Sequence, residues 1–255
     1  MRNTITIYRK ELKSYFSSPI AYGLMAFFAL LSGYFFYALT YFFVQQSMET
    51  QMMGRAVPMN VNEGVIRYFF GNISVIGLFV IPMMTMRLFA EEKRTGTMEL
   101  LVTSPIHDVE IILGKWLAAL TLYACMLGLT AVNVGMLFAY GKPDWKPILV
   151  GYLGLLLQGG TLLAIGAFIS TTTSNQIIAG TATFGVCLLL WILDWATSFR
   201  QEAWAKVVSY LSIVTHFEPF SKGVLDSRDV VFYLSMIFLG LFLTARSMES
   251  LRWRS

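Results

Sequence analysis

Six long apolar runs dominate this chain of 255 residues and limit what it can fold into. A helix needs about 20 mainly apolar residues to cross the hydrocarbon core of a bilayer. Because backbone N–H and C=O groups find no partners in lipid, each run is predicted to be a helix. A membrane β-barrel is excluded, since barrel strands alternate apolar and polar residues and these runs are apolar throughout. The predicted spans are Ile20–Val44, Tyr68–Ala90, Ile111–Tyr140, Ile148–Ser170, Gln176–Trp195 and Val230–Arg246.

Composition agrees with an all-α integral membrane protein that forms a single transmembrane domain over residues 1–255. The chain is 56% hydrophobic and 13% charged, whereas a soluble domain is about 25% charged. Its lysines and arginines flank the apolar runs instead of forming one exposed stripe, which argues against nucleic acid as a partner. Cys125 and Cys187 lie inside apolar runs, so both are predicted to be packed side chains without a disulfide.

The placement of lysine and arginine predicts the orientation of the spans. Six spans put both termini on one side of the membrane, together with the loop between spans two and three. Eleven of the nineteen basic residues fall on that side, namely Arg2, Arg9, Lys10, Lys13, Arg87, Lys93, Arg94, Lys115, Arg246, Arg252 and Arg254. We therefore expect a multi-pass protein of the bacterial cytoplasmic (inner) membrane with cytoplasmic termini. The first apolar run is too long for a signal peptide, whose core has about 7–15 residues, so it is predicted to stay as an anchor.

Residues 1–17 are predicted to form a helix that lies in the membrane interface. At 100° per residue, one apolar stripe collects Ile5, Tyr8, Leu12, Tyr15 and Phe16. A neighbouring basic arc collects Arg2, Arg9, Lys10 and Lys13. Such a helix places its cations near anionic lipid headgroups. The alternative is a basic tail that only sets the topology.

The densest patch of mixed charge lies at residues 91–110, between spans two and three. Arg87 and Glu91 are four residues apart, a spacing that favours an ion pair on one helix face. Residues 92–94 are expected to continue that helix into water, and Gly96 permits the chain to turn. An ordinary solvated loop needs no such structure, so we interpret the segment as a helical elbow that presses into a groove of a partner.

The third span has a predicted start signal at the end of this elbow. Ser104 and Pro105 are predicted to be the N-cap and the first helical residue. Asp108 and Glu110 follow in the opening turns, where carboxylates interact favourably with the helix dipole.

Two stretches carry a resemblance to a known family. The segments "IPMMTMRLFAEEKRTGTMELLVTSPI" and "THFEPFSKGVLDSRDVVFYLS" are similar to the permease subunits of type-2 ABC exporters. The nearest groups are the gliding-motility permease and the permease of nitrous-oxide-reductase maturation. The resemblance covers essentially the whole chain, and it implies that two six-span units form a pathway above two separate ATPase subunits.

The resemblance also implies roles for particular residues. The elbow would be the coupling segment that docks on the ATPase, through Glu91, Glu92, Arg94, Gly96, Thr97, Glu99, Ser104, Pro105, Ile106, His107 and Asp108. Spans two and five would line the pathway, with Asn72, Ser74, Met83, Thr85, Thr181 and Thr183 as candidates. The loop at 196–229 would hold short re-entrant helices before the last span. Expected partners are two copies of an ABC ATPase, a second permease chain (a homodimer or a paralogue) and membrane lipid, with an auxiliary extracytoplasmic subunit as a further candidate.

Neither an ATPase site nor another catalytic site is predicted. A phosphate-binding loop needs G-x-x-x-x-G-K-[ST], and the G-K steps at Gly114 and Gly141 lack both the earlier glycine and the following hydroxyl residue. ATP and magnesium would therefore bind to the partner, and this chain would carry no cofactor. His216 lies two residues from Glu218, but one histidine and one acid make a poor metal site. His216 is expected to have a local structural role.

Three alternatives remain open from the residues alone. The outer stretch "SMETQMMGRAVPM" carries thioethers that could select Cu(I), although methionine also fills amphipathic surfaces without metal. Small residues in spans four and five permit close helix approach, either between subunits or inside one. The second functional hypothesis is a membrane anchoring or assembly component that recruits an ATPase without passing a substrate.

Overall fold

The computed structural model describes residues 2–52, 60–98, 106–141, 143–198, 208 and 210–252, and every described element is helical. The helices are α1 (Arg2–Ser17), α2 (Pro19–Met52), α3 (Arg67–Thr85), α4 (Ala90–Thr95), α5 (Asp108–Tyr140), α6 (Trp145–Thr172), α7 (Gln176–Ser198), α8 (Ile213–Ser221) and α9 (Ser227–Arg252). A π-helical turn, Asn62–Ile66, leads directly into α3.

Six helical segments of the described chain are long and apolar enough to cross a membrane, in agreement with the predicted all-α fold and span number. They contain α2, α3, α5, α6, α7 and α9. The second differs from the prediction, because α3 ends at Thr85 and turns at residues 86–89 separate it from α4. The break falls where the Phe89 backbone turns its N–H toward another helix. The even number of spans leaves α1, α4 and the end of α9 on one face, and α8 near the other.

The centre of the bundle is α6, which packs against α3, α5, α7, α8 and α9. Its glycines permit these close approaches. A methyl group on Gly151 would lie 2.2 Å from the Phe70 ring, and one on Gly159 would lie 2.2 Å from the Tyr123 ring. These small residues of α6 therefore serve packing inside one chain, which was one of the two readings left open by the sequence.

The N-terminal helix α1 packs along the first half of α5. A methyl group on Gly114 would lie 2.8 Å from Ile7, so α1 and α5 meet at that glycine. Tyr8 and Thr121 share a hydrogen bond of 3.1 Å between their hydroxyl oxygens. Burial raises the pKa of the Tyr15 hydroxyl well above its usual range. Part of the predicted apolar stripe thus contacts protein, whereas Ile5 stays exposed.

On the opposite face, a side chain joins the start of the second membrane segment to the start of the fourth. The Asn62 amide nitrogen donates to the Asp144 carbonyl at 3.1 Å, and the Asp144 backbone N–H donates to the Asn62 side-chain oxygen at 3.2 Å. This two-way contact fixes the entry of α3 and of α6 relative to each other.

Candidate functional site: the elbow between α3 and α5

Of the elbow predicted at residues 91–110, the structure describes 91–98, with most of helix α4 and the turn at Gly96 and Thr97, and 106–110; from here on the name also includes the turns at 86–89 and Ala90, which join α3 to α4. Gly96 has φ +74°, a left-handed conformation that costs any other residue a steric penalty. This confirms the turn predicted at Gly96. Arg94 and the residues up to Thr97 are exposed, so they form a polar tip. The Thr95 hydroxyl donates to the Glu91 carbonyl at 3.0 Å, which ties this tip to α4.

Arg87 and Glu91 form the predicted ion pair. The Arg87 guanidinium donates through Nε to one Glu91 oxygen at 2.9 Å and through Nη2 to the other at 3.3 Å. Two parallel bonds of this kind fix the geometry better than a single contact does. Because Arg87 lies in the turns and Glu91 in α4, the pair sets the angle at which the elbow leaves α3.

Glu92 points inward, which corrects the expectation that this residue extends into water, whereas Arg94 is exposed as expected. One of its oxygens lies 2.8 Å from the Lys115 ammonium on α5, and that ammonium also lies 3.1 Å from Glu11 on α1. The Lys115 side chain is only 4% exposed. The other Glu92 oxygen is buried and has no hydrogen-bond partner among the described residues. Glu11, Glu92 and the buried Lys115 therefore form a cluster, here called the charge triad, which joins three helices.

Three predicted elbow residues, Glu99, Ser104 and Pro105, lie outside the described residues. The predicted start of the helix at Pro105 is wrong, because Ile106 and His107 are not helical and α5 begins at Asp108. His107 has an extended backbone and occupies the N-cap position. The first turn carries acidic side chains at Asp108 and Glu110, as expected for interaction with the helix dipole.

A second feature lies between α3 and α7, the two helices expected to line a pathway. They enclose an open cavity of about 400 Å³ that is lined by Phe79, Pro82, Met83, Met86, Ile177, Gly180, Thr181 and Phe184. Of the six candidate lining residues, Met83 and Thr181 reach this cavity. Asn72 is half-buried, and the buried candidates are Ser74, Thr85 and Thr183.

The buried candidates make contacts inside the chain. Ser74 accepts a hydrogen bond of 2.7 Å from the Gln158 amide, and the Thr85 hydroxyl donates to the Pro82 carbonyl at 3.3 Å. The Thr183 hydroxyl donates to the Ala179 carbonyl at 2.8 Å. All three hydroxyl groups therefore have hydrogen-bond partners within the chain, and none of these residues lines the cavity.

His216 fastens α8 to the last span, which agrees with its expected structural role. Its Nδ1 lies 2.6 Å from an Asp229 oxygen at the start of α9, and its Nε2 lies 2.9 Å from the Tyr210 carbonyl. The ring stacks on Phe232 with a centroid distance of 3.8 Å. The nearby Glu218 does not join this site.

Glu218 lies on the surface of α8 and contacts two cations, one at the start of α3 and one directly after α8. Arg67 lies 3.1 Å and Lys222 lies 2.8 Å from the same oxygen. The hydrogen bond from Lys222 lowers the pKa of the Glu218 carboxyl. Among the described residues, no group of three or more His, Cys, Asp or Glu side chains is arranged to hold a metal ion.

Several residues that position the elbow are not among the site residues predicted from the sequence. Lys115 is a single lysine inside an apolar run, and Glu11 is the single acid of a basic segment, so this pair of isolated charges was a usable signal. Ser170 of α6 accepts hydrogen bonds from the elbow backbone. A serine near the end of an apolar run gives no signal of that kind, because its partners lie about 80 residues earlier in the chain.

These features define a polytopic helical membrane protein with a structured, charged elbow between its second and third spans. A family model described as "ABC-2 family transporter protein" matches residues 5–243. The chain therefore belongs to the ABC-2 family of transporter proteins. Membership of this family and the six candidate spans make the chain a transmembrane protein of a transporter family.

Two curated relatives share part of the chain. Over 162 residues it is 23% identical to the "Probable multidrug ABC transporter permease YbhR" of Escherichia coli (strain K12). The same values hold for the protein of that name in Escherichia coli O157:H7. The aligned region covers 63% of this chain and 43% of each relative, so the chain spans less than half the length of these relatives.

Proposed function

We propose that this chain is the permease subunit of an ATP-driven ABC exporter and that it couples to a separate ATPase subunit through the elbow. The observation that carries this proposal is the combination of an exposed polar tip at residues 94–97 with a firmly anchored base. The base is fixed by the Arg87–Glu91 ion pair and by the charge triad. A segment anchored in this way can be displaced by a docked protein without losing its helical structure. ATP and magnesium would bind to the partner.

The pathway would form where α3 and α7 meet a second permease chain, either an identical copy or a paralogue. The open cavity of about 400 Å³ between these helices supports this placement, since Met83 and Thr181 reach it directly. Asn72, Ser74, Thr85 and Thr183 would contribute only if the helices rotate during transport. Two permease chains would carry two ATPase copies.

The proposed setting is the bacterial cytoplasmic membrane, with both termini and the elbow in the cytoplasm. The exposed cations of α1 support it, because Arg9 and Lys13 point away from α5 while Glu11 is turned inward onto Lys115. A surface of this charge suits anionic lipid headgroups. The α8 region would then face the outside, where an auxiliary subunit could bind.

The finer assignment rests on sequence resemblance. We favour export over import, and within the family the gliding-motility and nitrous-oxide-reductase-maturation permease groups. The curated relatives are named as probable multidrug permeases, and that name applies to them.

Co-purification of the ATPase with a tagged permease tests the docking role. Arg94→Glu reverses a charge at the elbow tip, and Lys146→Glu makes the same reversal at an exposed residue on the opposite face. Arg94→Glu should reduce recovery of the ATPase at unchanged permease yield, whereas Lys146→Glu should leave recovery at the wild-type level. Reversal of a contact charge at a protein interface costs several kcal/mol. Equal recovery with both variants would contradict docking through the tip.

A further inference from the structure

The N-terminus of α4 is capped by a side chain from another membrane span. The first backbone N–H groups of a helix have no partner within it and are usually satisfied by its own N-cap residue. The N-cap position of α4 is Phe89, whose side chain cannot accept a hydrogen bond. Instead, the hydroxyl oxygen of Ser170 accepts from the backbone N–H groups of both Phe89 and Ala90, each at 3.0 Å.

The same end of α6 also binds the last turn of α4. The Lys93 ammonium donates to the backbone carbonyl of Thr171, next in sequence to Ser170. Cations are favourable near the C-terminal end of a helix because the exposed carbonyls carry partial negative charge. Two consecutive residues of α6 thus hold both ends of a six-residue helix. We call this set of contacts the α4–α6 clamp.

The clamp continues a tight contact between α3 and α6. Gly166 lies one turn before Ser170, and a methyl group there would lie 2.4 Å from the Thr85 hydroxyl oxygen. The end of α3 therefore rests directly on the α6 backbone. On the other side, the Thr171 and Ser247 hydroxyl oxygens are 2.8 Å apart, which links α6 to α9. A continuous path of contacts runs from the elbow through α6 to the last span.

The residues of α6 in the clamp are buried, so the loss of one of their hydrogen bonds is costly. Ser170 is 0% exposed and Thr171 is 1% exposed. A buried backbone donor that loses its acceptor keeps its full desolvation cost, so the Phe89 and Ala90 N–H groups depend on the Ser170 hydroxyl. Water cannot replace that hydroxyl without opening the junction.

We propose that Ser170 is the positioning residue that fastens the elbow to α6, so that a displacement of the elbow is delivered into α6 and onward to α9. The elbow is joined covalently to α3 and α5. Through the clamp, α6 also moves with the elbow, although α6 is not adjacent to it in sequence. The source of the displacement rests on the proposed function, a docked ATPase. The clamp itself does not depend on that function.

Hydrogen exchange on the full chain in lipid nanodiscs tests the clamp without any partner. Ser170→Ala should speed exchange of the Phe89 and Ala90 amides by about tenfold, because both lose their acceptor. The matched control is Ser247→Ala, which removes a hydroxyl of α9 that contacts Thr171 at the same end of α6 and should leave these two amides unchanged. Lys93→Met gives a second reading, since it releases the last turn of α4 from a partly exposed site and should speed exchange in α4. Unchanged exchange in both Ser170→Ala and Lys93→Met would overturn the clamp.

A distance measurement on the assembled complex tests the transmission. Spin labels at Thr95→Cys and Thr172→Cys occupy exposed sites on the elbow and at the end of α6. In the wild-type background their distance should stay constant between nucleotide-free and vanadate-trapped complexes, and in Ser170→Ala it should shift or broaden on trapping. A change of this distance in the wild-type background, or none in Ser170→Ala, would overturn the transmission. If no ATPase copurifies, the proposed function fails, while hydrogen exchange still decides the clamp.

Discussion

The Lys115 ammonium lies 2.8 Å from Glu92 and 3.1 Å from Glu11, so one lysine of the third span holds an acid of the elbow and an acid of the N-terminal helix. Charged groups between packed helices lose most of their hydration, and only close groups of opposite charge offset that loss. The arrangement ties three segments that are far apart in sequence. It also leaves the triad with one more negative than positive group.

Removing the lysine should destabilise the protein strongly. Lys115→Met leaves Glu92 without its cation, while Glu11 keeps only the exposed Lys10 at 3.9 Å, and breaking a buried pair costs about 3–5 kcal/mol. The melting temperature of the purified protein in detergent should fall by several degrees. Adding Glu92→Met should recover much of the loss, because an apolar pair can replace a buried ion pair. A double variant that melts lower than Lys115→Met would show that Glu92 is stabilised by something other than Lys115.

The left-handed turn at the tip of the elbow predicts a graded response at Gly96. Gly96→Ala should cost about 1 kcal/mol and Gly96→Asn less, because asparagine tolerates φ > 0 better than alanine does. Gly23→Ala is the control, since Gly23 lies in α2 with open space around it and alanine favours a helix. Thermal unfolding, followed by intrinsic fluorescence, ranks the stabilities of these three variants. If Gly23→Ala were the more damaging change, the backbone conformation at Gly96 would not be the cause.

The junction between α8 and α9 should depend on His216. Asp229 is only 6% exposed, so His216→Ala leaves a buried carboxylate without its 2.6 Å partner. Loss of a buried, charge-assisted hydrogen bond costs about 3 kcal/mol. Lys222→Ala, which removes an exposed ion pair on the same helix, should cost about 0–1 kcal/mol. The rate of proteolysis between α8 and α9 reports the stability of this junction in both variants. Equal protection of the two variants would contradict the structural role of His216.

The proposed orientation makes a labelling prediction. In a background where Cys125 and Cys187 are replaced by alanine, Thr50→Cys should react with an impermeant maleimide added outside intact cells. Thr95→Cys at the elbow should react only after the cells are opened. Reaction of Thr95→Cys from outside together with protection of Thr50→Cys would place the elbow on the wrong face for an ATPase.

The fold was largely predictable because hydropathy has one strong meaning in lipid: a long apolar run must be a helix. The Arg87–Glu91 pair and the Gly96 turn were also predictable, since both follow from local spacing and backbone chemistry. The break between α3 and α4 was not. The amides at that break donate to Ser170, about 80 residues later, and no local pattern predicts a cap supplied from so far along the chain. The inward direction of Glu92 has the same origin, because only the packed bundle brings Lys115 beneath it.

The start of α5 shows a second limit. Ser-Pro is a strong helix-start signal by composition, yet α5 begins at Asp108 after an extended His107. The sequence analysis placed Asp108 and Glu110 in the opening turns of a helix that began at Pro105, whereas Asp108 is the first helical residue of α5. The carboxylates of the first turn proved to mark the real start.

The proposed coupling requires that ATP binding and hydrolysis by a partner, acting through the elbow, change the surroundings of α3 and α7, and cysteine accessibility in the cavity between these helices tests it most directly. Met83→Cys and Thr181→Cys line that cavity, and Phe238→Cys on the exposed side of α9 is the control. In nanodiscs holding the permease with its ATPase, ATP and vanadate should change the labelling rates of Met83→Cys and Thr181→Cys several-fold and leave Phe238→Cys unchanged. The permease alone should show no response to ATP at any of the three sites. Identical rates with and without trapped nucleotide in a complex that hydrolyses ATP would contradict the account and favour a component that only anchors the ATPase.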